Sequence, residues 1–205
     1  LALARGVSAL HAEGWVHADL SVDNVVFGPD DNSLQIVDFE SAISIDGGDD
    51  ALEALESVAI LSPEHTRRTG TAVGAHSDLY ACGAIMFELF TGRPVFDTDD
   101  PLELVHAHLA LSPPSLTEER PDVPPAVGAI VDRLLQKDPA DRYLSGSGLV
   151  LDLERTLSGH AAGIELSQRD LVGHRVPSRV RAPSRRYGDG PEVDVLERTI
   201  EAART

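Results

Sequence analysis

Two short strand-forming runs, Val25-Val26-Phe27 and Leu34-Gln35-Ile36-Val37, are separated by Gly28-Pro29-Asp30-Asp31-Asn32-Ser33. Every residue of that connector is a turn former, so the two runs are expected to pair as an antiparallel hairpin. This hairpin constrains the chain more than any other feature. Asn24 lies just before its first strand and Asp38 just after its second, and antiparallel pairing brings both to the same open end. Asp19 lies five residues before Asn24, in the loop Val16-His17-Ala18-Asp19-Leu20-Ser21-Val22-Asp23-Asn24, and can project into the same space.

Three oxygen-bearing side chains converging at one end of a hairpin suggest a hard cation. Mg²⁺ takes oxygen ligands, keeps several waters and bridges one or two protein groups to substrate phosphates, a role that one carboxylate (Asp38) and one carboxamide (Asn24) suit. A carboxylate left free of the metal, here Asp19, can orient a hydroxyl and accept its proton, which is what phosphoryl transfer asks of a protein beyond positioning.

The rest of the chain has helical periodicity and clear punctuation. Leu3, Val7 and Leu10 fall on one face of a helix that closes at Gly14. Residues 41–61 show no clear period. Ser77 is expected to cap a helix running to Gly92, and Asp100-Pro101 opens another through about Leu111. Further helices are expected over Pro125–Lys137, Gly148–Leu157 and, amphipathic, Glu192–Arg204. An early hairpin followed by helices predicts an α+β fold that is mostly α.

Charge narrows the partners. The 205 residues carry 34 acidic and 17 basic side chains, a net charge of −17 that would be repelled by a nucleic-acid backbone or an anionic membrane surface. No run of 18 apolar residues exists to span a bilayer. The single cysteine, Cys82, fits a reducing, cytoplasmic setting and is expected to be a buried apolar filler. Leu1 stands where a complete chain would start with methionine, and Met86 is the only methionine, so a fragment is expected. Residues 1–64 hold one basic and 13 acidic side chains, whereas residues 166–205 hold eight and six. That change of sign, with Pro177, Pro183 and an arginine series, reads as a domain boundary followed by a basic linker.

His17-Ala18-Asp19 followed by Asn24, then Asp38-Phe39-Glu40, resembles the catalytic loop and magnesium motif of protein kinases. Kinases of small molecules such as aminoglycosides and choline share a similar loop. Ser62-Pro63-Glu64 resembles the end of a protein-kinase activation segment. Asp78-Leu79-Tyr80-Ala81-Cys82-Gly83 and Thr91-Gly92-Arg93-Pro94-Val95-Phe96 resemble the start and exit of the central helix, and Lys137-Asp138-Pro139-Ala140-Asp141-Arg142-Tyr143 completes the series in family order. The resemblance implies the helical C-terminal lobe of a serine/threonine protein kinase-like domain, using ATP and Mg²⁺ on a protein substrate. It implies Asp19 as the catalytic base, Asn24 and Asp38 as metal and cofactor ligands, and His17, Glu64, Asp78 and Arg142 as structural residues, Glu64 and Arg142 forming a buried ion pair.

The resemblance covers residues 1–158. Lys137 is the only lysine and lies in a late motif, so the strand lysine that grips phosphates in kinases is not in this sequence, nor is a glycine-rich loop, and the fragment by itself is expected to be inactive. The chain is most similar to large bacterial signalling proteins that join such a domain to an AAA-type ATPase. Pro101-Leu102-Glu103-Leu104-Val105-His106-Ala107-His108 supports this, as does Tyr187-Gly188-Asp189-Gly190-Pro191-Glu192-Val193. The expected organisation is a lobe over 1–158, a linker over 159–186 and the start of the ATPase module over 187–205.

Several positions depart from the family pattern. Ala18 stands where a basic residue usually reads an activation-segment phosphate, Ser21 where a lysine usually meets the transferred phosphate, and Glu40 in place of a glycine. Glu56 precedes Ser57 where the family has a glycine before its hydroxyl residue. Two alternatives therefore stay open: a pseudokinase serving as a regulatory interaction module coupled to the ATPase, and a small-molecule phosphotransferase. Trp15, Tyr80 and Phe87 are expected to pack rather than bind, His106 and His108 to face different sides of a helix, and Asp97, Asp99 and Asp100 to be a solvated helix entrance.

Overall fold

The computed structural model describes residues 1–28, 34–45 and 62–177. The turn over 29–33, Glu56, Ser57, the Tyr187–Val193 segment and the helix expected over Glu192–Arg204 lie outside the described residues. Helix α1 (Ala2–Ala12) leads into strand β1 (Trp15–Val16); β2 (Val25–Phe27), β3 (Leu34–Ile36) and β4 (Ile43–Ser44) follow, then helices α2 (Ala75–Thr91), α3 (Pro101–Ala110), α4 (Leu116–Glu119), α5 (Pro125–Leu134) and α6 (Gly146–Ala161). The fold is α+β and mostly helical.

The strands form two nested antiparallel ladders. β2 pairs with β3 in the register Val25↔Ile36, Val26↔Gln35, Phe27↔Leu34, and Val37 N–H to Asn24 C=O, 3.0 Å, extends the pairing to its open end. β1 pairs with β4, Trp15↔Ser44 and Val16↔Ile43, an outer ladder of two residues too short for its alternation to be visible in sequence. The segments 17–24 and 37–42 are therefore each trapped between the same two ladders and must face one another. That nesting places the site.

Helix α2 is the axis of the packing. Leu79 through Ile85 are buried without interruption, as is Phe87, so the helix is covered on all sides rather than on one stripe. One cluster on it joins Leu3, Val7, Leu20 and Val25 to Cys82, Ile85, Ile130, Leu134, Leu149 and Leu153. The other gathers Tyr80, Ala84, Phe87, Val95, Leu116, Val123, Val131 and Leu135. Gly92 ends α2 at φ 73°, the left-handed conformation that glycine adopts without steric cost.

Several expected boundaries shift for identifiable reasons. α2 begins at Ala75 with Gly74 as its N-cap; Ser77 sits one turn in, where its Oγ accepts from Gly74 N–H at 3.3 Å. α5 stops at Leu134, short of Lys137. α6 starts at Gly146, capped by Ser145 Oγ accepting from Gly148 N–H at 3.1 Å, and continues past Leu157 to Ala161. Asp100 caps α3 through Leu102 N–H at 2.8 Å. Tyr80 and Phe87 are fully buried, but Trp15 is 48% exposed, since its strand has only a two-residue partner to lie against.

Packing continues beyond residue 158. The buried carboxylate of Asp152 on α6 accepts from Val172 N–H (3.0 Å), Gly173 N–H (2.9 Å) and the Tyr143 hydroxyl (3.0 Å). Leu171 is buried and joins the first cluster. Gly148 and Gly173 meet backbone to backbone, leaving no room for a Cβ on either. Among the described residues no helix is long and apolar enough to cross a membrane.

In Gly148→Ala the new methyl group overlaps the Gly173 carbonyl. Overpacking of this kind costs about 1–3 kcal/mol. The expected outcome is a lower urea midpoint together with faster tryptic cleavage at Arg169 and Arg175. An unchanged midpoint and digestion pattern would contradict the docking of this segment on α6.

Candidate active site

The loop between β1 and β2 is built around one buried carboxylate. Asp78, in the first turn of α2, accepts from His17 N–H (2.8 Å) and Ala18 N–H (2.9 Å), and His11 Nε2 of α1 reaches its Oδ2 at 2.8 Å. A buried carboxylate is tolerable only when its oxygens are saturated in this way. Ala18 is held at φ 65°, a left-handed conformation that costs a non-glycine residue about 1–3 kcal/mol. Asp38 has φ 63° and is likewise strained.

His17 closes the other side of the loop. Its Nε2 lies 3.0 Å from Val37 C=O, which can only accept, so the proton is on Nε2. The ring is fully buried and packs 5.0 Å from that of Phe39. The segment carrying Asp38 is thus tied to the segment carrying Asp19.

Asn24 Nδ2 donates to the backbone C=O of Asp19 at 2.8 Å, fixing the amide so that its nitrogen is occupied and its oxygen remains available. The Asp19 carboxyl is pushed above its ordinary range by burial. His17 opposes that rise, the nearby Asp38 charge adds to it, and His65 opposes it. Two carboxylates that feel one another, beside a carboxamide oxygen, form a hard-oxygen donor set. Among the described residues no group of three or more His, Cys, Asp or Glu forms a cage for a metal. The donors present fit an ion that completes its shell with water and phosphate oxygens, as Mg²⁺ does. Asp38 and the Asn24 oxygen are the groups that would hold it.

Glu64 lies in a tight turn over Pro63–Thr66 and is fully buried against Arg142. Arg142 Nη2 and Nη1 bond its two oxygens at 2.8 and 3.1 Å, while Ser77 Oγ donates to it at 3.0 Å. The other guanidinium hydrogens go to Gln136 C=O (2.7 Å), His76 C=O (2.9 Å) and Lys137 C=O (3.0 Å), so all five N–H groups are used. Burial alone would raise the Glu64 carboxyl, but Arg142 and Ser62 outweigh it and hold it below its ordinary value.

Lys137 is committed elsewhere. Its Nζ donates to His108 C=O (2.7 Å), Ala107 C=O (3.2 Å) and the Tyr80 hydroxyl (3.3 Å), over the Phe96 ring. Burial, assisted by Arg142, lowers it to about 8. His108 is buried and bonded to Tyr80, with burial and the Lys137 charge lowering it to about 4, whereas His106 is exposed on the opposite side of α3. His11, His65 and the Tyr80–His108–Lys137 cluster were not identifiable from motif spacing, because their partners lie 67, 47 and 57 positions away.

Residues 1–148 match the protein kinase domain family. The chain belongs to the protein kinase family. Over 95% of its length it is 31% identical to the serine/threonine-protein kinase pkn3 of Myxococcus xanthus, covering 37% of that protein. A probable serine/threonine-protein kinase of Streptomyces coelicolor is 31% identical over 80% of the chain, with 24% of that protein covered. A hybrid signal transduction histidine kinase of Dictyostelium discoideum is 49% identical over 46% of the chain, which is 3% of that protein. The kinase region of twitchin from C. elegans superposes with a TM-score of 0.63 at 18% identity, over 73% of this chain and 26% of that one. The chain therefore spans at most about a third of the length of these curated relatives. It is a serine/threonine protein kinase-like domain of signalling proteins, a family that uses ATP and Mg²⁺ generally.

Removing Arg142 leaves Glu64 buried and unpaired. Arg142→Ala is expected to lower stability at pH 7 by about 3–5 kcal/mol. The carboxyl of Glu64 is depressed in the folded protein, so its contribution is present above the ordinary value of 4.5 and is lost as pH falls through the depressed one. In the variant the unpaired carboxyl takes up a proton more readily, so the gap in chemical-denaturation midpoint should narrow on acidification. A gap independent of pH would show that Glu64 is not the group left exposed to desolvation.

Proposed function

We propose that this chain is the C-terminal lobe of a protein kinase-like domain whose parent transfers the γ-phosphate of ATP to serine or threonine hydroxyls of proteins. The observation that carries the reading is the pinning of the Asp19 loop. Asp78 and His17 hold it, Asn24 bonds the Asp19 carbonyl, and Asp38 influences the same carboxyl. Asp19 orients the incoming hydroxyl and takes its proton, and a carboxyl raised by burial is closer to the pH at which a general base works best. Asn24 and Asp38 present oxygens to the metal, and Mg²⁺, when bound, neutralises charge on the phosphates. Glu64, Asp78, His17 and Arg142 keep the two segments in register.

In this reading residues 1–158 carry the lobe, 159–186 lead away from it, and 187–205 begin an AAA-type ATPase module in a large cytoplasmic signalling protein. The likeness to a hybrid signal transduction histidine kinase, of which the match is only a small part, supports a multidomain parent. A second reading, a pseudokinase that relays signals by contact, is favoured by the commitment of Lys137 to Tyr80 and His108, and by Ser21 and Glu40 at positions where the family has lysine and glycine.

The full parent protein, given Mg-ATP and a protein substrate, should incorporate phosphate. Asp19→Asn should reduce the rate by about two orders of magnitude or more, the typical contribution of a positioned base. Equal turnover by Asp19→Asn would remove Asp19 from the chemistry, and no turnover by the wild-type parent would favour the pseudokinase.

A further inference from the structure

His65 stands one residue beyond Glu64, and its ring spans 47 positions of sequence to reach the catalytic loop. Nε2 lies 2.7 Å from the Ala18 carbonyl, and Nδ1 lies 2.8 Å from Ser62 Oγ. A carbonyl only accepts, so the proton must sit on Nε2. In the neutral ring Nδ1 then accepts from the Ser62 hydroxyl. The histidine is mounted on a rigid turn: His65 N–H donates to Ser62 C=O at 3.0 Å, Thr66 Oγ1 donates to Pro63 C=O at 2.6 Å, and Glu64 is locked to Arg142.

The target of that bond matters. The Ala18 carbonyl and the Asp19 N–H belong to one planar peptide unit, so whatever fixes the carbonyl direction fixes the plane from which Asp19 projects. Ala18 is in a strained conformation, with φ 65°, and its methyl group makes no polar contact that would keep it there. Two bonds from distant elements hold it: Asp78 on its N–H and His65 on its C=O. Position 18 also lacks a side chain able to reach toward residues 62–66.

We infer that His65 is a positioning residue for Asp19, fastening the Ser62–Thr66 turn to the catalytic loop so that the two align without an added phosphate. The inference deepens the phosphotransfer reading and rests on Asp19 being its base. Alignment of the loop is then a built-in property of the fold rather than a response to modification.

The test uses the full parent protein carrying His65→Leu or His65→Gln. Hydrogen exchange of the peptide spanning 16–20 is measured alongside steady-state kinetics with Mg-ATP and casein. Glutamine can place an N–H near the position of Nε2, whereas leucine cannot. Because a displacement of about 1 Å at a reacting group can cost on the order of 100-fold, His65→Leu should lose about 10- to 100-fold in kcat with KM for ATP within about twofold, and His65→Gln should recover to within about threefold. Exchange at Ala18 and Asp19 should quicken in His65→Leu alone, with α2 and α5 protected as in the wild type.

Wild-type kcat and exchange in His65→Leu would overturn the inference. So would equal impairment of both variants with protection lost throughout, which would mark a purely structural role. If the wild-type parent transfers no phosphate, the phosphotransfer reading fails by itself, and the local exchange measurement decides whether His65 sets the loop.

Discussion

The carboxylate of Asp78 is the point from which the site is suspended. It is buried beneath the loop that carries Asp19, and taking a carboxylate out of water is affordable only when each oxygen finds donors. Its donors are two successive backbone N–H groups of that loop and a histidine of α1. Satisfying the charge and shaping the loop are therefore the same event. The left-handed Ala18 follows from it, because an alanine relaxes out of that region unless its surroundings hold it.

Arg142 plays the equivalent part on the opposite side of α2. A fully buried guanidinium with five donors needs five acceptors, and it finds them in Glu64 and three backbone carbonyls. The turn after residue 62 is fastened by Glu64 to the loop after α5, and by His65 to the catalytic loop. A chain with 34 acidic and 17 basic side chains has few cations to place inside. Two of them, Arg142 and Lys137, are committed to holding α2, α3 and the turn at Pro139–Asp141 together rather than to the site.

The hairpin was legible in sequence because turn formers separate two β-branched runs, and side-chain period and turn chemistry are local properties. The helices were legible for the same reason, with errors confined to their ends. Ser77 is a good N-cap residue by type, but Gly74 and the bond from Ser77 to Glu64 decide where α2 begins. The two-residue ladder of Trp15–Val16 with Ile43–Ser44 left no periodic trace. The docking of residues 168–176 was hidden by composition. Their arginines suggest a solvated stretch, while the bonds that hold them come from Asp152 and from backbone groups that carry no sequence signature.

The order of motifs along the chain, the hairpin that turns Asn24 and Asp38 toward one end, and the helical character of everything after residue 75 were determined by the sequence alone. Each depends on neighbours within a few residues. Tertiary structure alone decided which buried groups meet: His11 with Asp78, His65 with the Ala18 carbonyl, Lys137 with Tyr80, Asp152 with Gly173. Those contacts join residues 21 to 67 positions apart, and their existence depends on desolvation, which is a property of the packed interior rather than of any stretch of chain.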